Sequence, residues 1–139
     1  MNLLVPQPKL ESSLEQLEDA LSFHSEVDLA VLPEGYLNEN VEQARESARR
    51  YRTNLAGGYR NLRERPKDRA ILIDRGGDVV VDRPKYSSIS VAEIEGLRIG
   101  HLLCDELVLQ GVQGAEAADL DVLVHPIGVG MFSEEPFAE

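Results

Sequence analysis

Along this chain of 139 residues, short apolar runs alternate with segments in which apolar residues recur at helical spacing. Apolar runs predict strands over residues 2–5 and 29–32, each followed by a proline, and the second strand is expected to be buried on both faces. Ser12 followed by Glu15 forms a capping-box pattern, which predicts that a first helix starts at Ser12. Leu14, Leu17 and Leu21 then recur at helical spacing. Asn40 predicts the cap of a second helix that runs through about Thr53.

The second half of the chain predicts mostly strands. Residues 54–59 predict a strand in which Gly57 and Gly58 permit a close approach of neighbouring chain, and 70–73 with 79–81 predict a hairpin. A strand over 97–103, a helix over about 107–118 and a strand over 122–124 complete the order β-α-β-α-β-β-β-β-α-β. This order is typical of a single α/β domain over residues 1–139 with a mixed sheet.

The charge pattern limits the partners of the protein. The formal net charge is −11, which argues against a nucleic-acid partner because phosphates would be repelled over most of the surface. Residues 49–85 form an arginine-rich segment of opposite sign. It could be an RNA-binding arm, but we interpret it as a solvated face that pairs with the acidic flanks.

Two further features concern the location of the protein. No apolar run approaches the length of a membrane span, so we expect no membrane partner. Cys104 is the lone cysteine, which excludes an internal disulfide framework and favours the cytoplasm.

Three chemically reactive residues follow three predicted strands. Glu34 follows strand 29–32, Lys85 follows strand 79–81, and Cys104 closes strand 97–103. Ligands bind beyond the carboxyl ends of strands in open α/β sheets, so these side chains can converge. A thiol, a carboxylate and an ammonium are complementary as nucleophile, base and oxyanion stabiliser. Each alone is more often structural: a buried small cysteine, a surface acid and a solvated lysine.

These residues lie in segments that resemble the motifs of a known family. Residues 28–36 read DLAVLPEGY, residues 83–85 read RPK, and residues 96–106 read GLRIGHLLCDE, where a cysteine, any residue and an acid close a strand. In this order they resemble the glutamate, lysine and cysteine motifs of the nitrilase (carbon–nitrogen hydrolase) superfamily. Residues 3–7 and 114–123 resemble its first strand and the segment after the nucleophile.

The resemblance implies an α-β-β-α sandwich that hydrolyses a small amide or nitrile through a thioester, with no metal and no organic cofactor. It assigns Cys104 as the nucleophile, Glu34 as the general base and Lys85 as the stabiliser of the tetrahedral intermediate. The backbone N–H of Asp105 would be a second oxyanion donor.

Two departures from the family pattern qualify this interpretation. The matching part resembles only the amino-terminal half of the family, which leaves open an alternative: a catalytically inactive relative that serves as a binding or assembly subunit. The family's second active-site glutamate has no match, because Glu93 and Glu95 read as an exposed strand face or turn.

We expect the strands to form one sheet with helices on its outer face. Its other face would then be covered by a second copy of the chain, in a homodimer or larger even homo-oligomer.

Histidine offers a rival chemistry. His125 ends a predicted strand and could pair with Cys104 as a Cys–His catalyst. His101 lies three residues before Cys104, so on a strand the two side chains would face opposite ways. His24 reads as a surface residue, and these residues lack the spacing of a structural zinc site.

Overall fold

The computed structural model describes residues 1–89, 91–103, 106 and 120–126. These residues form two helices and eight strands. Their bounds, in chain order, are β1 Leu3–Leu4, α1 Glu15–Phe23, β2 Leu29–Val31, α2 Val41–Tyr51, β3 Asn54–Arg60, β4 Asp68–Ile73, β5 Val79–Pro84, β6 Val91–Ile94, β7 Leu97–His101 and β8 Val122–Val124. The predicted helix over 107–118 lies outside the described residues.

The larger sheet has five strands in the order β1-β2-β3-β4-β5. Strands β1, β2 and β3 are parallel, and β4 and β5 continue the sheet as an antiparallel hairpin. The predicted mixed sheet and the hairpin are therefore confirmed. Because β5 runs parallel to β2 and β3, the carboxyl ends of all three strands lie at one edge of the sheet.

The second sheet has three strands in the order β6-β7-β8, so the prediction of one sheet is wrong. Strand β6 was not predicted, because its four residues are too few to show a clear alternation. It pairs with β7 through a tight turn at Glu95 and Gly96, whose φ angles are 54° and 78°. Strand β8 then pairs in parallel with β7.

The two faces of the larger sheet are both covered by this chain. On one face, α1 and α2 pack Leu17, Leu21 and Ala48 against the sheet. On the other face, the side chains in contact come from both sheets: Leu29, Ala56, Leu72 and Val81 from the larger, and Ile94, Ile99 and Val124 from the smaller. The expectation that a second copy supplies this layer is wrong, because strands β6 to β8 leave the first sheet and fold back over it.

The helix starts differ from those predicted. Helix α1 begins at Glu15, and its first amides are satisfied by the Glu11 carboxylate, which accepts hydrogen bonds from the N–H groups of Glu15 and Gln16 at 3.1 and 3.0 Å. The predicted Ser12 cap is therefore wrong, since Glu11 takes its place.

Helix α2 follows Asn40, as predicted, but the Asn40 side chain does not cap it; the amide donates to the carbonyl of Ser12 instead. The helix ends at Tyr51, two residues before the predicted end, where Arg52 adopts a left-handed conformation.

Candidate active site

Glu34 and Lys85 meet at the carboxyl edge of the larger sheet. Lys85 Nζ donates a hydrogen bond to Glu34 Oε1 at 2.6 Å, although the two residues are 51 positions apart in sequence. Their side chains are 13% and 11% exposed, so the pair is largely withdrawn from water and still accessible. The structure thus brings together two of the three residues singled out at strand ends.

The turn that carries Glu34 is fixed by the core beneath it. Pro33 starts the turn that follows β2, and its carbonyl accepts a hydrogen bond from the N–H of Tyr36 at 3.2 Å. Tyr36 and Leu37 are fully buried. The Tyr36 hydroxyl accepts from the N–H of Leu17 and donates to Glu11, and burial together with Glu11 raises the pKa of Tyr36. The buried side chains two and three residues after Glu34 therefore fix where its carboxylate lies.

A glycine in β3 allows Glu34 to approach the sheet. A Cβ atom at Gly58 would lie 2.6 Å from the Glu34 carbonyl oxygen and 3.0 Å from its Cγ. Real Cβ atoms do not approach backbone this closely, so no larger residue fits without moving Glu34. The expectation that this strand uses glycine for close approach is confirmed at Gly58.

Lys85 lies in a turn directly after β5. Its N–H donates to the carbonyl of Asp68 at 2.9 Å, and the N–H of Ser87 closes the turn on the carbonyl of Pro84 at 3.1 Å. Tyr86 has a φ of 71°, which reverses the chain. These contacts direct Lys85 back toward Glu34 at the edge of the sheet.

A buried ion pair lies beside this turn and was not predicted as part of the site. The Arg83 guanidinium donates two hydrogen bonds to the Glu106 carboxylate, from Nη1 to Oε2 at 2.6 Å and from Nη2 to Oε1 at 2.7 Å. The two side chains are 5% and 0% exposed. One signal was present in the sequence: Glu106 is the acid of the cysteine, any residue, acid spacing. No pattern indicated Arg83 as its partner.

Burial acts on two titratable groups here in different ways. Burial raises the pKa of the Glu106 carboxyl, but hydrogen bonds from Arg83 and from the N–H groups of Leu103 and Tyr86 outweigh it, so the pKa lies below its ordinary value. His101 is buried with no hydrogen-bond partner for its ring nitrogens among the described residues. Burial, reinforced by Arg83, lowers the pKa of His101 to about 3, so its ring is neutral at physiological pH.

Cys104 and Asp105 lie outside the described residues. Their neighbours Leu103 and Glu106 are described, and both are fully buried. The N–H of Leu103 donates to Glu106 Oε1 at 2.6 Å, and the N–H of Glu106 donates to the carbonyl of Leu103 at 2.8 Å.

The two glutamates between Lys85 and Cys104 lie away from the site. Glu95 lies in the β6–β7 turn and forms an ion pair with Arg75, at the edge of the fold where β3 begins. Glu93 is exposed and opposite Arg98 in the β6–β7 register. Neither contributes to the Glu34–Lys85 region.

A cavity of about 320 Å³ opens at the carboxyl ends of β1, β2 and β8, next to the Glu34 turn. Its described lining carries no carboxylate, lysine or arginine and consists of Val5, Pro6, Gln7, Val31, Leu32, Pro33, His125 and Pro126. His125 thus faces this cavity, and its proposed pairing with Cys104 stays a prediction.

Part of the basic segment pairs with the acidic flanks, as interpreted from the sequence. Arg75 contacts Asp28 and Glu95, and the pairs of Arg83 and Lys85 described above also reach outside the segment. Other arginines, such as Arg69 with Asp82, pair within the segment.

Among the residues that the structure describes, no group of three or more His, Cys, Asp or Glu side chains could hold a metal ion. A reaction without metal or cofactor stays a prediction. Nor does any helix in the described ranges have the length and apolar character needed to cross a membrane.

Comparison with solved structures decides the fold family. An amidase from Nesterenkonia sp. AN1, with the acetamide moiety of fluoroacetamide added covalently at its active-site cysteine, superposes with a TM-score of 0.78 over 91% of this chain at 18% identity. A cysteine-to-alanine mutant of the same amidase, described as a member of the nitrilase superfamily, superposes with a TM-score of 0.77 at 17% identity. This chain has the nitrilase-superfamily fold.

The nitrilase-like sandwich confirms the fold class implied by the sequence motifs. A third structure, the amidase with acrylamide added at its active-site cysteine, gives a TM-score of 0.77 at 18% identity. The chain spans 64% of the length of the first of these amidases. No protein-family model and no curated protein matches the sequence.

Proposed function

We propose that this chain carries the catalytic residues of a carbon–nitrogen hydrolase that acts on a small amide. The observation that carries the proposal is the 2.6 Å hydrogen bond between Lys85 and Glu34, which lie 51 residues apart and meet at the carboxyl edge of the sheet. A partly accessible carboxylate and ammonium in one place can serve as a base and an oxyanion stabiliser. The amidases with the same fold have an active-site cysteine, and Cys104 is the lone cysteine of this chain.

In the proposed reaction, Glu34 accepts the proton of the Cys104 thiol, and the thiolate sulfur forms a bond to the amide carbon. Lys85 and the N–H of Asp105 stabilise the negative charge on the carbonyl oxygen. The carbon–nitrogen bond breaks as the nitrogen takes a proton from Glu34, which leaves a thioester on Cys104. Water then attacks the thioester carbon and gives a proton to Glu34, which acts as the base. The carbon–sulfur bond breaks as the sulfur takes that proton, and the carboxylic acid and free thiol are released.

The described lining of the cavity next to Glu34 carries no carboxylate, lysine or arginine, which favours a small neutral substrate. We therefore propose an amide in preference to a charged substrate, and a nitrile as the second choice. A cytoplasmic location stays a prediction.

The homo-oligomer also stays a prediction, and its original argument no longer holds because the chain covers its own sheet. Light scattering at micromolar concentration measures the assembly state directly.

The function is tested with two measurements on the same preparation. Ammonia release is followed over a panel of short aliphatic amides and nitriles, and alkylation of Cys104 by iodoacetamide is followed near neutral pH. We expect hydrolysis of at least one amide, loss of that activity in Cys104→Ala, and alkylation faster than that of free cysteine, whose pKa is about 8.5.

Because the chain has one cysteine, alkylation reports on Cys104 alone. A folded protein whose Cys104 resists iodoacetamide and that releases no ammonia from any compound would contradict the proposal. That result would favour the binding or assembly role instead.

A further inference from the structure

The Glu106 carboxylate is saturated with hydrogen bonds. Besides the two from Arg83, Oε1 accepts from the N–H of Leu103 at 2.6 Å, and Oε2 accepts from the N–H of Tyr86 at 2.7 Å. Each carboxylate oxygen therefore takes one bond from the guanidinium and one from a backbone amide. Protein groups therefore supply the hydrogen bonds that this fully buried carboxylate would otherwise accept from water.

These four bonds join two separate parts of the chain. Leu103 directly precedes Cys104, and Arg83 and Tyr86 flank the turn that carries Lys85. Arg83 Nη2 also donates to the carbonyl of His101 at 2.7 Å, which ties the end of β7 to the end of β5. One carboxylate therefore holds the end of the Lys85 strand against the end of the strand that leads to Cys104.

Electrostatic attraction alone gives no reason for an ion pair at this position. Burying two charges costs desolvation energy, and well-packed apolar residues often serve as well or better. An apolar pair could not accept the N–H groups of Leu103 and Tyr86, which would be left unsatisfied. The planar carboxylate and guanidinium also fix direction as well as distance, which a packed apolar contact does not.

We propose that Glu106, held by Arg83, is a positioning residue that fixes the Lys85 turn against the segment carrying Cys104, an inference that rests on the function proposed above. Glu106 acts through backbone amides, so it sets where Lys85 and Cys104 lie without touching the substrate. A glutamine at this position keeps the size of the side chain but replaces one acceptor oxygen by an NH₂ donor, which faces N–H groups and cannot accept from them.

The test measures position and reactivity separately, in Glu106→Gln, Lys85→Gln and the double variant. Position is measured by residue-resolved hydrogen exchange at the amides of Leu103 and Tyr86. Reactivity is measured as the pH midpoint of Cys104 alkylation by iodoacetamide. The matched control is Asp82→Asn, which removes another ion-paired carboxylate from β5, next to Arg83.

In Glu106→Gln we expect the amide that faces the new NH₂ group, that of Leu103 or that of Tyr86, to exchange at least about tenfold faster. The alkylation midpoint should rise by about 0.5 pH unit or more, because Lys85 would stabilise the thiolate less well. Lys85→Gln should raise the midpoint as well, and adding Glu106→Gln to it should raise it little further, since both changes remove the same interaction. In Asp82→Asn, both amides and the midpoint should match the wild-type protein.

Two results would overturn the proposal: wild-type exchange at both amides in Glu106→Gln, or a midpoint shift that is equally large with and without Lys85. If Glu106→Gln does not fold, Glu106→Asp replaces it. Its carboxylate is one methylene shorter and cannot reach both amides, so unchanged exchange there would also overturn the proposal.

Failure of the proposed function gives a different result. Wild-type Cys104 would then titrate near its free pKa of about 8.5, with no effect of Lys85→Gln. The exchange rates at Leu103 and Tyr86 would still decide whether Glu106 fixes the turn.

Discussion

Two ion pairs lie side by side at the end of β5 and differ in almost every physical respect. Arg83 pairs with the Glu106 carboxylate, which is fully buried and accepts two hydrogen bonds from the guanidinium and two from backbone amides. Lys85, two residues later, pairs with a carboxylate that keeps 13% of its side chain exposed. A saturated pair can hold chain segments in place, whereas an accessible pair can exchange a proton or meet a substrate.

The end of β5 thus carries one ion pair suited to holding the structure and another suited to chemistry. The bidentate guanidinium suits a fixed geometry, and the compact ammonium on a flexible stem suits a charge that must follow a reacting atom. Removing charge from the first pair should therefore affect stability most, and removing it from the second should affect activity most.

Breaking the buried pair tests the first half of this contrast and has the largest expected effect. Arg83→Met leaves Glu106 buried without its counter-ion, and we expect a loss of about 3–5 kcal/mol in the free energy of unfolding. The double variant Arg83→Met/Glu106→Gln buries no charge and keeps an acceptor oxygen, so it should lose less. Urea denaturation measures both, and a double variant less stable than Arg83→Met would contradict the role assigned to the charges.

Neutralising the accessible pair tests the second half. Lys85→Gln should lower the rate of amide hydrolysis by about a hundredfold or more, because an oxyanion donor contributes about 3 kcal/mol in the transition state. Its free energy of unfolding should change little. Lys9→Gln, at an exposed lysine, is the matched control for both measurements. A Lys85→Gln protein that is destabilised but keeps its specific activity would assign Lys85 to structure.

Moving the accessible pair without changing its charges sharpens the contrast. Gly58→Ala places a methyl group 2.6 Å from the Glu34 carbonyl, so we expect a loss of about 1–3 kcal/mol in stability and a lower rate of hydrolysis. Gly57→Ala is the matched control in the same strand, because its methyl group makes ordinary contacts of 3.4 Å or more. Equal activity in the two variants would show that the position of Glu34 does not matter.

The buried histidine beside Arg83 gives the smallest effect. The pKa of His101 is about 3 when folded and near 6.5 when unfolded, so between these values the unfolded chain binds a proton that the folded chain does not. Stability should therefore fall as the pH is lowered through this window, by up to about 1.4 kcal/mol per pH unit. Among the residues that the structure describes, the charged and titratable groups that act on His101 are Arg83, Glu106 and His125.

Urea titrations between pH 6.5 and 5 measure this dependence, above the range in which Glu106 gains its proton. The lowered pKa of Glu106 contributes stability that is lost only as the pH falls below about 4.5. In His101→Leu the slope over the higher window should decrease, and His24→Gln, at a histidine that is only partly buried, is the matched control. An unchanged slope in His101→Leu would show that His101 is accessible to protons in the folded state.

Local patterns in the sequence determined much of this protein. Apolar runs and turn residues predicted the core strands of the larger sheet and its hairpin, because burial on both faces and chain reversal are local properties of a segment. The same patterns indicated Glu34 and Lys85 at strand ends, and parallel strands bring such ends to one edge. The capping error at Ser12 was also local, since Glu11 competes for the same amides.

Only the tertiary structure decided which sheet each strand joins and which charges meet. The run at Val122–Val124 looks alike whether it extends the first sheet or covers it, because strand pairing is chosen by contacts between distant segments. Arg83 and Glu106 are 23 residues apart and carry no shared periodicity that would pair them. Their ion pair forms because the second sheet folds over the first and brings the two side chains together. Burying either charge without a partner would cost free energy.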